Sequence, residues 1–233
     1  MGSERLPGKV LLDIEGQTML ARVVRRIQKA KSIDGVVVAT TLSKQDDVVA
    51  EEAARLGVGV TRGSEEDVLD RFRQAATESG AATIVRVSAD SPLVDPDVTD
   101  MVVDAFMSQD VDYASNKLGA SFPLGLDVEA FSRDALEKTS KQATESYERS
   151  HVTVRMYSSH TSMNLLPVTT TPDRHDWRWT VDTPEDLEFV REVFRRMGGG
   201  NDFSWQDVVT LIEENPELAA INSHLKPKAI ELG

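Results

Sequence analysis

Two aspartates in this 233-residue chain stand where a metal ion could be held. Asp90 comes shortly after a β-branched run, in the segment Ser-Ala-Asp-Ser-Pro-Leu, and Asp182 comes directly after Trp-Thr-Val. Carboxylate oxygens at strand ends are ligands that Mg²⁺ prefers. Asp90 could equally be a turn residue before Ser-Pro, which is a common pattern. Asp182 is not required for the helix start that follows it, because Thr183 and the next proline already supply an N-cap and a first helical residue.

The segment from Gly2 to Lys9 has the composition of an anion-binding loop. Its sequence, Gly-Ser-Glu-Arg-Leu-Pro-Gly-Lys, combines two glycines, which let backbone amides approach an anion, with the fixed cations of Arg5 and Lys9. The same residues could form an ordinary N-terminus. In one crevice, this loop and the two aspartates would make a Mg²⁺–polyphosphate site, because phosphoryl chemistry depends on positioning, a metal and cations.

Two common nucleotide-binding loops do not match. A Walker A loop requires Gly-x4-Gly-Lys-Ser/Thr. Here five residues separate Gly2 from Gly8, and Val10 follows Lys9, so the loop offers no hydroxyl for Mg²⁺. We therefore reject an ATPase. The glycine fingerprint of Rossmann dinucleotide folds is also absent.

The composition narrows the range of partners. The net charge is -13, from 26 basic and 39 acidic residues, and such a surface repels nucleic acid and anionic lipid. There is no cysteine, which excludes disulfides, thiolate zinc sites and a thiol nucleophile. No apolar run approaches the roughly 18 residues that a membrane span needs, and no signal peptide opens the chain. We expect a cytoplasmic protein with neither nucleic acid nor membrane as a partner.

The first half of the chain alternates strands and helices, which predicts an α/β fold. Strands are predicted at 35–40, buried on both faces, at 58–61 and at 83–87, with helices at 19–31, 45–56, 65–79 and 95–108. Connections of a few residues predict a mostly parallel, doubly wound sheet with helices on both faces. In such sheets ligands bind at the carboxyl ends of the strands, which is where Asp90 lies.

The second half is less regular. Strands are predicted at 111–115, 126–131, 163–168 and 177–181, and helices at 133–141, 145–158, 183–197 and 204–214. No linker is long enough to separate independent domains. We predict one domain over 1–233, in which 1–110, 111–176 and 177–233 are successive parts.

Five motifs, in order, resemble the SpsF-type branch of the cytidylyltransferase family, named for spore-coat polysaccharide synthesis. They lie at 2–9, 62–71 (Arg-Gly-Ser-Glu-x-Asp-Val-Leu-Asp-Arg), 89–93 (Ala-Asp-Ser-Pro-Leu), 125–131 (Gly-Leu-Asp-Val-Glu-x-Phe) and 179–186 (Trp-Thr-Val-Asp-Thr-Pro-Glu-Asp). CMP-sialic acid and CMP-KDO synthetases belong to the same family. The resemblance covers nearly the whole chain and implies a GT-A-like nucleotidyltransferase fold.

The resemblance also implies roles for individual residues. It places Arg5 and Lys9 on the triphosphate and makes Asp90 and Asp182 the metal ligands, and these four residues are the predicted catalytic set. The remaining nucleotide-binding residues that it implies are Gly2, Ser3, Ser64, Asp67 and Ala89, of which Ser64 and Asp67 fall near the base and ribose. Asn116, Asp127, Glu129 and His151 fall in the half that receives the sugar, 111–176. His151 could equally be a helix histidine in a polar contact.

The implied activity is Mg²⁺-dependent transfer of CMP from CTP to an acidic sugar, with release of pyrophosphate, for surface polysaccharide synthesis. The resemblance further implies a homodimer. Two alternatives stay open. A glycosyltransferase with a nucleotide-sugar donor shares the GT-A fold, and fold alone does not decide function. A non-catalytic nucleotide-binding protein would bind Mg·CTP without turnover.

The chain departs from this family at its start. Relatives have a hydrophobic strand before the glycine loop, whereas Met1 stands directly before Gly2 here. A sheet without that strand would leave two neighbouring strands unpaired. Two explanations stay open: the native start lies upstream and Met1 is an internal methionine, or the chain is truncated, which would affect its stability and nucleotide selectivity. Our hypothesis is the first. Mass spectrometry of the native protein tests it, and an N-terminus at Met1 or Gly2 would contradict it.

Overall fold

The computed structural model describes residues 2, 5–159 and 161–226. The strands are β1 (Asp13–Ile14), β2 (Gln17–Thr18), β3 (Val37–Thr41), β4 (Gly59–Gly63), β5 (Thr83–Arg86), β6 (Tyr113–Ser115), β7 (Glu129–Ser132) and β8 (Leu165–Pro167). The helices are α1 (Met19–Ile27), α2 (Asp47–Arg55), α3 (Val68–Ser79), α4 (Pro96–Met107), α5 (Arg133–Gln142), α6 (Ser146–Ser150), α7 (Pro184–Arg196), α8 (Trp205–Glu214) and α9 (Glu217–Ala220). Short 3₁₀ turns cover Lys9–Leu11 and Lys44–Asp46.

The strands form one mixed sheet, one parallel pair and a small hairpin. The mixed sheet has the order β5-β7-β6-β8, in which β7 is antiparallel to β5 and β6 and β8 is parallel to β6. Strands β5, β6 and β8 therefore run in one direction, and only β7 opposes them. The pair β3-β4 is parallel, and β1-β2 is an antiparallel hairpin. The α/β prediction is confirmed, with an antiparallel strand inserted among parallel ones.

The parallel pair and the mixed sheet are not joined by hydrogen-bonded strands. Within the described residues, β3 pairs only with β4 and β5 pairs only with β7. Among the described residues, β3 and β5 thus each have one edge without a hydrogen-bonded strand partner. The prediction that β3 is buried on both faces is wrong, since Val37 is 38% exposed. Its register partner is Gly59, which has no side chain to cover it.

Local capping signals set several helix starts as predicted. Asp95 caps α4 by accepting from the backbone amides of Asp97 and Val98, with Pro96 as the first helical residue. Thr183 opens α7 with a reciprocal capping box. By contrast, α3 begins at Val68 and not at residue 65. Arg62 and Gly63 extend β4, and the side chain that caps the helix belongs to Asp67.

Two predicted elements of the second half are wrong. The helix predicted over 145–158 ends at Ser150, and Val152 adopts φ 61°, a left-handed value that is unusual for a β-branched residue. Val152 and Met156 are both fully buried, so packing overrides the helical pattern there. The strand predicted over 177–181 is only an isolated bridge between Arg178 and Leu124. The four residues from 178 to 181 are all buried, so the segment is packed on every side although it pairs with no neighbouring strand along its length.

Candidate active site

Lys9 lies between the two aspartates that the sequence predicts as metal ligands. Its Nζ donates to Asp90 Oδ2 at 2.8 Å, to Asp182 Oδ1 at 2.9 Å and to the Val181 carbonyl at 2.8 Å. The Lys9 side chain is 13% exposed, whereas Asp90 and Asp182 are 28% and 23% exposed. Three residues far apart in sequence thus meet at one point that solvent can reach.

Backbone contacts hold the two aspartate segments together. The Val181 amide donates to the Asp90 carbonyl at 2.8 Å, and the Thr180 hydroxyl donates to the same oxygen at 3.3 Å. On the other side, a β-carbon on Gly125 would come within 2.5 Å of the Thr180 nitrogen. Only glycine therefore allows the segment that carries Asp182 to pass so close to the turn at Gly125, where φ is +108°.

A tight turn brings Lys9 to this point. Gly8 precedes the 3₁₀ turn with φ 69°, a left-handed value that suits glycine. Leu6 packs against the main hydrophobic core and Val10 against a smaller cluster. The turn is therefore anchored by packing on both sides of the lysine.

The charges at the site stabilise one another. Burial lowers the pKa of Lys9, but the carboxylates of Asp90 and Asp182 outweigh that effect, so the pKa is raised. Burial raises the pKa of Asp182, but hydrogen bonds from Lys9 and Arg178 outweigh it, so the pKa is lowered. Near neutral pH we therefore expect Lys9 to be an ammonium and Asp182 to be an ionised carboxylate.

Arg5 adds a second, more exposed cation. Its Nη2 lies 3.2 Å from Asp182 Oδ2, and its side chain is 41% exposed. The structure thus brings together the four residues of the predicted catalytic set, whose chemical roles stay predictions. Gly2 lies near Glu65, whose Oε1 would be 3.2 Å from a β-carbon on Gly2. Ser3 lies outside the described residues.

The other residues predicted to touch the nucleotide have varied surroundings. Ala89 and Ser64 are exposed. Asp67 caps α3 through the Asp70 amide at 2.9 Å and accepts from Arg149 Nε at 2.6 Å. Asp67 therefore has a structural role, and its contact with the ribose stays a prediction.

Two residues predicted to bind the sugar are engaged in internal bonds. Asn116 is 2% exposed, and its amide donates to the Leu126 carbonyl and accepts from the Val128 amide, each at 2.8 Å. Glu129 is 1% exposed and accepts from the hydroxyls of Tyr113 and Thr153, each at 2.7 Å. These bonds support the fold, and contact with a sugar stays a prediction for both residues.

The charged groups in and beside the sugar-receiving half, 111–176, differ in their partners and burial. Arg86 pairs with Glu129; burial raises the pKa of Glu129, but Arg86 outweighs that effect and the pKa is lowered. Burial raises the pKa of Asp127, with Lys117 opposing it. His151 caps the end of α6, where its backbone amide donates to the Tyr147 carbonyl at 3.0 Å.

Several arginines contribute to the site or its surroundings without having been singled out from the sequence. Arg178 contacts Asp182, Arg86 contacts Glu129, and Arg149 contacts Asp67. Arg71 is 8% exposed and reaches the Ala39 carbonyl at 3.3 Å, while its buried Nε has no partner among the described residues. Arg71 and Arg178 lie inside or beside the matching motifs, which is the signal that could have revealed them.

The carboxylate pair fits a Mg²⁺ ion. Asp90 and Asp182 each place one hard oxygen against the same cationic nitrogen, so the fold already supports a cation between them. Among the described residues no group of three or more His, Cys, Asp or Glu side chains could hold a metal. The other ligands of Mg²⁺ would then be phosphate oxygens and water, which is its usual arrangement beside nucleotides.

The length and apolar character of the helices bear on whether any of them could cross a membrane. In the part of the chain that the structure describes, no helix has the length and apolar character required to cross a bilayer.

The sequence and the fold match known cytidylyltransferases. The model of a family described as cytidylyltransferase matches residues 1–214. The spore coat polysaccharide biosynthesis protein SpsF of Bacillus subtilis is 34% identical over 94% of this chain and 93% of its own length. The 3-deoxy-manno-octulosonate cytidylyltransferase of Geobacter sulfurreducens is 37% identical over 43% of this chain and 40% of its own. A solved cytidylyltransferase of Leptospira borgpetersenii superposes with a TM-score of 0.90, at 31% identity, over 98% of this chain and 95% of its own.

Proposed function

Since this chain belongs to the cytidylyltransferase family, we propose that it transfers CMP from CTP to an acidic sugar and releases pyrophosphate. The pathway that we propose is surface polysaccharide synthesis, because the SpsF relative is named for that process. We further propose that the protein works in the cytoplasm, as a homodimer and with Mg²⁺. The observation that carries the proposal is the position of Lys9 between Asp90 and Asp182.

The charges of the site suit a triphosphate. Arg5 and Lys9 supply two cations beside two carboxylates that can hold Mg²⁺, so the negative phosphates would meet balancing charge from both protein and metal. When bound, Mg²⁺ would supply Lewis-acid stabilisation of the phosphate oxygens. On nucleotide binding, we expect Lys9 to exchange its carboxylate contacts for phosphate oxygens.

The reaction is a single in-line displacement. A hydroxyl oxygen of the sugar forms a bond to the α-phosphorus, the bond from that phosphorus to the bridging oxygen of the β-phosphate breaks, and the hydroxyl proton is released to solvent. Arg5 and Lys9 stabilise the charge that develops on the leaving pyrophosphate. Positioning the two reactants accounts for much of the acceleration expected in this kind of transfer.

We propose an acidic acceptor for two reasons. One is a relative that matches less than half of this chain, and the other is a lysine in the half proposed to receive the sugar. The 3-deoxy-manno-octulosonate enzyme is named for a sugar acid. In this chain Lys117 lies in the half proposed to receive the sugar, near Asp127, with its ammonium 5.8 Å from the Tyr157 ring centroid. Lys117 forms no ion pair with a described residue but interacts electrostatically with Asp127 and Glu129, and we propose that its ammonium also attracts a sugar carboxylate.

A thermal-shift titration followed by product analysis tests the proposal. CTP, UTP, GTP and ATP are each added with and without Mg²⁺, and only CTP with Mg²⁺ should raise the melting temperature. Pyrophosphate and a CMP-sugar should then form with a panel of acidic sugars. Release of a nucleoside diphosphate from an activated sugar would instead indicate a glycosyltransferase. Mg·CTP binding without turnover on any sugar would indicate a non-catalytic nucleotide-binding protein.

A further inference from the structure

Arg178 is a nearly buried arginine that joins the aspartate at the site to a second aspartate behind it. Its side chain is 4% exposed. Its Nη2 donates to Asp182 Oδ2 at 2.8 Å and to Asp186 Oδ2 at 2.9 Å, and its Nε donates to Asp186 Oδ1 at 2.8 Å. The contact with Asp186 therefore uses two parallel bonds, a geometry that a guanidinium can form and an ammonium cannot.

Asp186 also fixes the backbone around Asp182. Its Oδ2 accepts from the amides of Asp182 at 2.9 Å and Thr183 at 3.1 Å, and its own side chain is fully buried. Asn222, after α9, donates to Asp186 Oδ1 at 2.9 Å and to the Arg178 carbonyl at 3.0 Å. A network of hydrogen bonds among buried and partly buried polar groups therefore fixes the segment from 178 to 186.

The two oxygens of Asp182 have different partners as a result. Oδ2 is occupied by Arg178 and approached by Arg5 at 3.2 Å. Oδ1 points to Lys9, on the side where Asp90 lies. One oxygen therefore remains directed at the cation position, and rotation of the carboxylate would break the bond to Arg178.

We propose that Arg178 is a positioning residue that makes Asp182 a one-oxygen ligand of Mg²⁺, through Oδ1. This inference rests on the proposed function, because it assumes that Asp90 and Asp182 hold the metal. Mg²⁺ demands near-octahedral geometry, which favours carboxylates that each present a single oxygen. Outer partners that orient a metal ligand typically change metal affinity by about 10- to 100-fold when they are lost.

The test measures how much Mg²⁺ is needed to stabilise the CTP complex. Mg²⁺ is titrated into protein with saturating CTP and no acceptor sugar, so nothing turns over, and the melting temperature is followed. For Arg178→Gln we expect the half-saturating Mg²⁺ concentration to rise about tenfold or more. For Arg178→Lys we expect a smaller rise, because an ammonium can reach Asp182 or Asp186 but cannot make both contacts. Arg174→Gln is the matched control, since Arg174 precedes Arg178 on the same segment but pairs with Glu213.

The possible outcomes separate this inference from the proposed function. A purely structural arginine would lower the melting temperature without moving the Mg²⁺ half-point, and that result in Arg178→Lys would overturn the inference. An equal shift in Arg174→Gln would overturn it as well. If Arg178→Gln does not fold, Arg178→Lys alone decides. If the wild-type protein shows no Mg²⁺-dependent stabilisation by CTP, the proposed function fails first.

Discussion

Two clusters in this protein each pair carboxylates with a cation, but they differ in accessibility. Around Lys9, two aspartates from separate loops share one cation, and their side chains remain 28% and 23% exposed. Around Glu129, which is 1% exposed, every partner comes from the surrounding protein and the carboxylate faces no solvent. The first cluster can exchange its internal cation for a ligand, whereas the second can lose a partner only by disrupting the fold. Burial and the replaceability of partners therefore separate a carboxylate that can react from one that stabilises structure.

Removing Asp90 should produce the largest effect on activity. We expect Asp90→Ala to lower turnover by at least about 10²- to 10³-fold, because charge stabilisation at a phosphoryl centre contributes that much. Since Asp90 is partly exposed and Lys9 keeps Asp182 as a partner, the melting temperature should change little. Pyrophosphate release measures activity, and Asp110→Ala, at an exposed aspartate, is the control. Retained activity in Asp90→Ala would remove Asp90 from the mechanism.

The same kind of change at the second cluster should affect stability. Glu129→Gln keeps the shape and leaves Arg86 without its charged partner, which should cost about 3 kcal/mol of unfolding free energy. Urea denaturation measures the loss, with Glu51→Gln on an exposed face of α2 as the control. A stability equal to that of the control would show that Glu129 is not a structural carboxylate, and the contrast between the clusters would disappear.

Replacing Lys9 with a neutral residue tests whether its cation is exchangeable, which is the property that distinguishes the Lys9 cluster from the Glu129 cluster. In Lys9→Met the internal cation is gone, so free Mn²⁺ should bind between Asp90 and Asp182 at least about tenfold more tightly without nucleotide, because one like charge has been removed. CTP binding should weaken at the same time. Electron paramagnetic resonance of Mn²⁺ measures the first effect, with the exposed Lys44→Met as the control. Unchanged Mn²⁺ affinity would mean that Lys9 does not compete with the metal.

The smallest expected difference lies in the dependence of stability on pH. The pKa values of Asp182 and Glu129 are both lowered in the folded state. Each carboxylate therefore contributes stability above its unfolded pKa of about 4, and that stability is lost as the pH falls through the folded pKa. When the urea midpoint of unfolding is measured between pH 7 and pH 3, the wild-type midpoint should decrease once the pH is below about 4. In Glu129→Gln this decrease should be smaller. In Asp182→Asn the difference from the wild type should be smaller than in Glu129→Gln, because solvent screens that site; an equal or larger effect would contradict the comparison.

Local sequence was sufficient where a few neighbouring residues decide the structure. Asp95 with its proline started α4, and Thr183 with Asp186 started α7, because a cap needs only residues within one turn. The meeting of Asp90 with Lys9 and Asp182 also followed from the sequence, through strand-end logic and the resemblance to a family. Metal binding and catalysis by these residues remain predictions.

Tertiary structure decided what depends on distant partners. The sequence by itself determined the α/β class, the main helix starts and the residues that could do phosphoryl chemistry, since these follow from periodicity, capping and motif order. It did not show that α6 ends at Ser150, because burial of Val152 outweighs helical pattern. It also did not show that Glu129 is enclosed by Arg86 and Tyr113, or that Arg178 orients Asp182 with support from Asn222. Such roles arise from contacts between side chains that are brought together only when the chain is packed.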